Sequence, residues 1–234
     1  MNLFYFKEIS GDSIKLNVEE SRHCIQVLRL RKGDHVSILN GKGAMYEAVI
    51  HAPDPKSCIL SILNEVKSGN NRRYRLTIAI APTKNMDRFE WFAEKSAEIG
   101  IDFIIPLICQ HSERKVLKTD RIEKILISAM KQSGQLFLPQ ISVPRSFREI
   151  VNQPFAGDKM IAHCESGTKN ELKNSITPGN NVMILIGPEG DFSPDEIKIA
   201  IENGFIPVSL GESRLRTETA GLVACHTVCL LNSI

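Results

Sequence analysis

From Leu76 onward the chain repeats one pattern: a short, nearly unbroken apolar run, a turn, then an amphipathic stretch. Leu76–Ala81, Ile101–Leu107, Met160–Cys164, Val182–Ile186 and Ile206–Leu210 are the apolar runs. They are too short for helices and lack the alternation of a half-exposed strand, so each predicts a strand covered on both faces. The intervening stretches predict helices over Met86–Ile99, Asp120–Ser133, Pro194–Asn203 and Thr217–Leu231. Gly100 and Gly134 stop the first two, and Asp120 with Glu123 has the spacing of a capping box. Strands alternating with helices fold into a parallel sheet with helices on both sides, an α/β domain.

The first 70 residues follow a different pattern, with strands over Leu3–Ile9, Ser13–Leu16, Val36–Leu39, Met45–His51 and Cys58–Val66. Turn residues separate them: Gly11-Asp12, which predicts a hairpin between the first two, then Gly41-Lys42-Gly43 and Pro53-Asp54-Pro55. One helical segment, Val18–Leu30, interrupts them. So many strands in so little chain predict a small β-barrel or curled sheet. The polar stretch Ser68–Arg73 is the expected linker, dividing the chain into domains 1–71 and 72–234.

The overall charge of +2 conceals a division. Residues 1–75 hold twelve Lys and Arg against eight Asp and Glu; the remainder holds seventeen against nineteen. A basic small part beside a near-neutral large one suits a polyanion grip joined to another activity, although a solvated surface explains it equally. No apolar run reaches the roughly 18 residues of a membrane span, and the amino terminus lacks the pattern of a signal peptide. Six scattered cysteines make a poor disulfide framework, so a cytosolic protein with reduced thiols is expected. Cys225, His226 and Cys229 have no second ligand cluster at zinc-like spacing, so they read as core residues and no metal is expected.

Two segments carry the chemistry. In Val182–Glu196 a buried strand enters the turn Gly187-Pro188-Glu189-Gly190, after which Ser193, Pro194 and Glu196 build a helix start. This is neither a dinucleotide fingerprint nor a P-loop, and a tight strand-to-helix turn is the plain alternative. In Ser209–Gly221 a second strand ends at Gly211. Arg214, Arg216, Thr217, Glu218 and Thr219 follow, with a helix cap plus solvated charge as the alternative. Ligands of open α/β sheets bind at the carboxyl ends of the strands, so two such turns side by side would hold a small molecule mainly by backbone groups.

Several motifs occur in a fixed order: His23 with Val27-Leu28-Arg29 and Gly33-Asp34; Lys84, Arg88, Glu90 and Lys95 with Glu98-Ile99-Gly100; Ser112-Glu113-Arg114; and Gln132-Ser133-Gly134. Ile186–Gly190 and Leu215–Ala220 complete the series. Together they resemble the bacterial RsmE-type methyltransferases of the SPOUT class over nearly the whole chain. Two departures are visible: Asp191 stands where the family usually has a second glycine, and Arg214 is displaced by one position from the usual arginine.

The resemblance implies a PUA-like β-barrel followed by a SPOUT α/β domain with a C-terminal trefoil knot, assembled as a homodimer. It implies S-adenosyl-L-methionine (SAM) as cofactor and N3 of a uridine in 16S ribosomal RNA of the small subunit as acceptor. The cofactor shell would comprise His163, Cys164, Glu165, Gly187, Glu189, Gly190, Leu210, Gly211, Leu215, Arg216 and Ala220. Uracil N3 carries a proton, so the site needs a base or cationic groups that favour the anion. Arg216 is the candidate for steadying that charge or a phosphate, and Glu218 and Glu189 for taking the proton or orienting the ring. RNA contact is expected from Arg29, Arg31, Lys32, Lys84, Arg88, Arg114, Lys115 and Lys118, and from the segment Asn71-Arg72-Arg73-Tyr74-Arg75. The rivals are an RNA-binding assembly protein without catalysis and a related methyltransferase with another target, such as transfer RNA.

Overall fold

The computed structural model describes residues 2–9, 11–69 and 72–233. The chain divides into two units, one within residues 1–71 together with Met130–Leu138, the other comprising Arg72–Ala129 and Pro139–Ile234.

In the first unit, strands β1 (Leu3–Tyr5), β2 (Ser13–Lys15), β3 (His35–Leu39), β4 (Ala44–Ala52) and β5 (Ile59–Ser68) form one sheet in the order β1-β3-β4-β5-β2. Register shifts at Met45/Tyr46, Glu47/Ala48 and Ile50/Ala52 interrupt the β4–β5 ladder, as bulges do in a bent sheet. Phe4, Ile14, Leu16, Cys24, Ile38, Ala48 and Leu60 meet in its core. The expected hairpin between the first two strands does not form. Gly11 does turn the chain, at φ +76°, but β1 pairs in parallel with β3 while β2 pairs antiparallel with β5. The helix expected over Val18–Leu30 is also altered. Helix α1 (Val18–Arg22) widens into a π turn over His23–Val27, and Arg29 at φ +56° ends it. Met130 and Leu136 pack with Leu39, Leu3, Tyr5 and Met45, so this segment joins the first unit although its sequence lies inside the second.

The second unit is a parallel sheet of β6 (Leu76–Ile80), β7 (Phe103–Ile108), β8 (Gln140–Ile141), β10 (Asp158–Ala162), β11 (Asn170–Glu171), β12 (Val182–Ile186) and β13 (Ile206–Ser209). Their order is β11-β13-β10-β12-β6-β7-β8, with the short β9 (Arg145–Ser146) also pairing with β7. Every residue of β6 and β12 is buried, as the unbroken apolar runs require. On one face Ala79, Leu107, Ile161, Met183 and Leu185 pack against helices α4 (Phe147–Val151) and α5 (Pro194–Glu202). On the other lie α2 (Met86–Ile99) and α6 (Thr217–Leu231), so close that a methyl on Gly221 would sit 2.7 Å from Phe92 and 2.8 Å from Ile80. Helix α3 (Thr119–Ser133) begins one residue early, so Asp120 lies inside its first turn instead of capping it. Ser193, Pro194 and Glu196 build the expected start of α5, with a reciprocal capping box and proline in the first turn.

Candidate cofactor site

Because β13, β10 and β12 are parallel neighbours, the turns that follow them emerge side by side at one edge of the sheet. Ala162 pairs with both Ile186 and Val208, which places the starts of the three turns level. Two adjoining cavities open there, both walled by Ala162, Cys164, Arg214, Leu215 and Ala220. The first, about 280 Å³, adds Ile186, Gly187, Pro188, Glu189, Asp191, Arg216 and Thr217. The second, about 370 Å³, adds His163, Lys169, Val208 and the loop Ser209–Ser213. Each is near the lower end of the size range of small-molecule sites, and together they can hold a ligand of nucleoside size.

Side chains brace the turns. Thr217 Oγ1, buried, donates to the Gly187 carbonyl at 3.1 Å and joins the β12 turn to the start of α6. Lys169 Nζ donates to the carbonyls of His163 (2.8 Å) and Glu165 (2.7 Å), holding the loop after β10. Cys164 N–H donates to Asp191 Oδ2 at 2.7 Å.

Both ring nitrogens of His163 are buried without a hydrogen-bond partner among the described residues. Burial first, then the Lys169 ammonium, holds the imidazole below the ordinary histidine range, so it is neutral at pH 7. A neutral imidazole on a cavity wall, with one donor and one acceptor unsatisfied, suits a ligand carrying complementary polar edges. Beside Gly187 the first cavity is lined by the apolar residues Ala162, Ile186, Pro188, Leu215 and Ala220, which suits a flat heterocycle. The donor set therefore fits SAM, with its adenine, ribose and amino-acid groups.

Most residues expected to bind cofactor line these cavities, but Gly190 and Glu165 line neither. The prospective catalytic groups also separate. Arg216 is exposed on the first cavity, and Glu189, on the same wall, accepts from Lys84 N–H at 2.9 Å. Glu218 is absent from both walls; it is 7% exposed, with Oε2 unpartnered among the described residues and Oε1 3.8 Å from Arg88 Nε. Thr217, Lys169 and Asp191 also shape the site, although the sequence assigns none of them to the cofactor shell. Lys169 carries no signal in its polar loop, whereas Asp191, in the turn just after Gly190, stood beside a recognisable feature.

The basic residues differ in availability. Arg29, Arg31, Lys32, Arg73, Lys115 and Lys118 are exposed. Arg114 instead donates to the carbonyls of Thr83 (3.3 Å) and Lys84 (2.9 Å), and Lys84 Nζ pairs with Glu113 at 2.9 Å. Arg72 is directed inward: it pairs with Asp102 at 3.1 Å, donates to the Tyr74 hydroxyl at 2.9 Å and stacks 4.4 Å from that ring. A guanidinium engaged on three sides has little left for phosphate, so the RNA role expected of Arg72 gives way to a structural one. Asn71 lies outside the described residues. Among the described residues, no group of three His, Cys, Asp or Glu side chains is arranged to hold a metal ion, and no helix is long and apolar enough to cross a membrane.

The chain matches the model of an RNA methyltransferase domain over residues 70–229 and that of an RNA methyltransferase PUA domain over residues 16–63. It is 30% identical to ribosomal RNA small subunit methyltransferase E of Synechocystis over 93% of this chain and 73% of that protein. With the protein of the same name in Bacillus subtilis it shares 28% identity, over 96% of this chain and 94% of that one. Among solved structures, a probable rRNA-methyltransferase from Porphyromonas gingivalis superposes with a TM-score of 0.93 at 42% identity, covering 100% of this chain and 99% of that one. Ribosomal RNA small subunit methyltransferase E from Neisseria gonorrhoeae, bound to SAM, gives 0.86 at 29% identity, covering 96% of this chain and 95% of that one. An α/β unit whose turns form a nucleoside-sized cavity, preceded by a PUA domain, has these relatives because the chain belongs to the RNA methyltransferase family that includes ribosomal RNA small subunit methyltransferase E.

Proposed function

We propose that this chain binds SAM in the paired cavities and methylates N3 of a uridine in 16S ribosomal RNA of the small subunit. The observation that carries the reading is the side-by-side emergence of three strand-end turns around Leu215, with the unpartnered imidazole of His163 on the wall. SAM-bound relatives of the same fold support the cofactor, and the small-subunit RNA methyltransferases among the relatives support the acceptor. The uridine N3 specificity follows from the resemblance noted in the sequence.

His163, Leu210, Gly211 and Leu215 would hold the cofactor, with Cys164, Gly187 and Ala220 completing the walls. When bound, SAM supplies a methyl group activated by its sulfonium. The chain's own residues then have two tasks: aligning the acceptor ring and removing its proton. Arg216 holds the negative charge that grows on the uracil oxygens as the N3 proton leaves. Glu189, on the same wall, receives that proton, while Glu218 acts from behind by orienting Arg88.

Strand order supports a C-terminal trefoil knot: β13 lies beyond β10 from β12, yet α6 returns to pack against β6 and β12. A homodimer and a domain boundary near residue 72 complete the reading, and the exposed basic side chains of the two units are its RNA contacts. A first test is thermal. Saturating SAM at 100 times its Kd should stabilise the protein by about 2.7 kcal/mol. An unchanged melting temperature would remove the cofactor assignment.

A further inference from the structure

Asp191 is one of two described non-glycine residues with positive φ, at +62°. A side chain costs free energy in that left-handed conformation unless something fixes it, although aspartate tolerates it better than most. Here each carboxylate oxygen accepts one backbone N–H. Oδ2 accepts the Cys164 N–H at 2.7 Å, from the loop after β10, and Oδ1 accepts the Phe192 N–H at 2.8 Å, from its own turn after β12. From outside, His111 Nδ1 donates to the carbonyls of Gly190 (3.2 Å) and Asp191 (3.1 Å), which fixes the peptide that presents the carboxylate. Asp191 and Cys164 both line the first cavity, and Cys164 borders the second as well.

We propose that Asp191 is a positioning residue for the cofactor: its carboxylate bridges two turns that have no backbone ladder beyond their strands and so sets the width of the cavity between them. This rests on the cofactor assignment above and assigns the role to the bridge, acting through Cys164, not to direct contact with the bound molecule. A bridge of charge-assisted hydrogen bonds holds the loop after β10 before ligand arrives, so binding need not order that loop.

Glycine takes φ +62° without strain, so Asp191→Gly removes the carboxylate at no steric cost, and Asp191→Asn, which adds no backbone freedom, controls for the looser chain. Calorimetry on the whole protein should show Asp191→Gly binding SAM about tenfold more weakly, equivalent to about 1.4 kcal/mol. Asp191→Asn keeps a single carbonyl acceptor, and its loss should be smaller, about threefold. S-adenosylhomocysteine, which lacks the sulfonium charge, should lose affinity by the same factor as SAM in each variant. In the ligand-free protein, hydrogen exchange at the Cys164 amide should quicken in Asp191→Gly while the melting temperature stays near wild type. In turnover, KM for SAM should rise more than kcat falls.

Affinity within twofold of wild type in Asp191→Gly would overturn the bridge. So would a loss confined to SAM, because that is the signature of a direct charge partner. A wild-type protein that binds neither compound would instead contradict the cofactor assignment itself.

Discussion

Arg216→Ala is expected to lower methyl transfer by about 10²–10³-fold, the cost of removing one group that meets charge developing in the transition state. The side chain is exposed at the N-terminal boundary of α6, and no hydrogen bond or ion pair of its guanidinium occurs among the described residues. Removing it therefore leaves no core cavity and no orphaned partner, and the melting temperature should stay within about 2 °C of wild type. SAM affinity should change far less than turnover, since the walls shared by both cavities remain. Arg216→Lys keeps the charge but loses the planar fork and should recover only part of the rate. Single-turnover transfer with saturating cofactor makes the measurement, and unchanged turnover would remove Arg216 from the mechanism.

Arg72→Ala should damage the fold, not RNA binding. Arg72 and Asp102 side chains are 27% and 23% exposed, and Asp102 also accepts the Leu76 N–H at 2.7 Å, at the first residue of β6. Burial raises the Asp102 carboxyl above its usual range despite the pull of Arg72, while the Asp102 carboxylate helps to keep Arg72 protonated. Deleting the arginine strands a partly buried carboxylate at the start of β6. The loss should be about 3 kcal/mol at neutral pH, or roughly 6–12 °C for a domain of this size.

The sign of the pH dependence follows. Without Arg72 the folded state takes up a proton at Asp102 more readily than the unfolded chain, so stability rises as pH falls and the deficit shrinks. RNA affinity measured below the melting transition should be unchanged in Arg72→Ala but reduced in Arg73→Ala, whose side chain is exposed. A stability loss that does not depend on pH would contradict the role given to Asp102.

Arg72 also marks the limit of what the sequence made legible. A run of basic residues beside a predicted linker has one appearance whether its side chains face phosphate or an aspartate 30 positions away. The strands and helices of the second unit were legible because each strand is buried on both faces and announces itself locally. The cap at Ser193 is local for the same reason. In the first unit the strands are legible in the same way, but the pairing of the first two is not. The turn at Gly11 is compatible with a hairpin, and only the positions of β3 and β5 decide otherwise.

The π turn after α1 has no residue signature, since its widening satisfies Leu28 N–H on the His23 carbonyl and involves no glycine. Met130–Leu138 carries apolar residues whose partners in the first unit lie 85 to 135 positions away. The cavity walls divide in the same manner. Gly187, Gly211 and Leu215 stand next to recognisable turns, whereas Lys169 and the Asp191–Cys164 bridge depend on which loops the sheet order brings together.

The central claim is that these cavities present SAM to uridine N3 of small-subunit RNA. Its most direct test uses methyl-labelled SAM with small subunits, and with their purified RNA, from cells lacking this modification, followed by nucleoside mapping. Label recovered as a single 3-methyluridine, formed at least about 10²-fold more slowly when Arg216→Ala replaces the wild-type protein, is the predicted result. A protein that binds SAM but labels neither subunits nor their RNA, or that methylates a different atom, would contradict it.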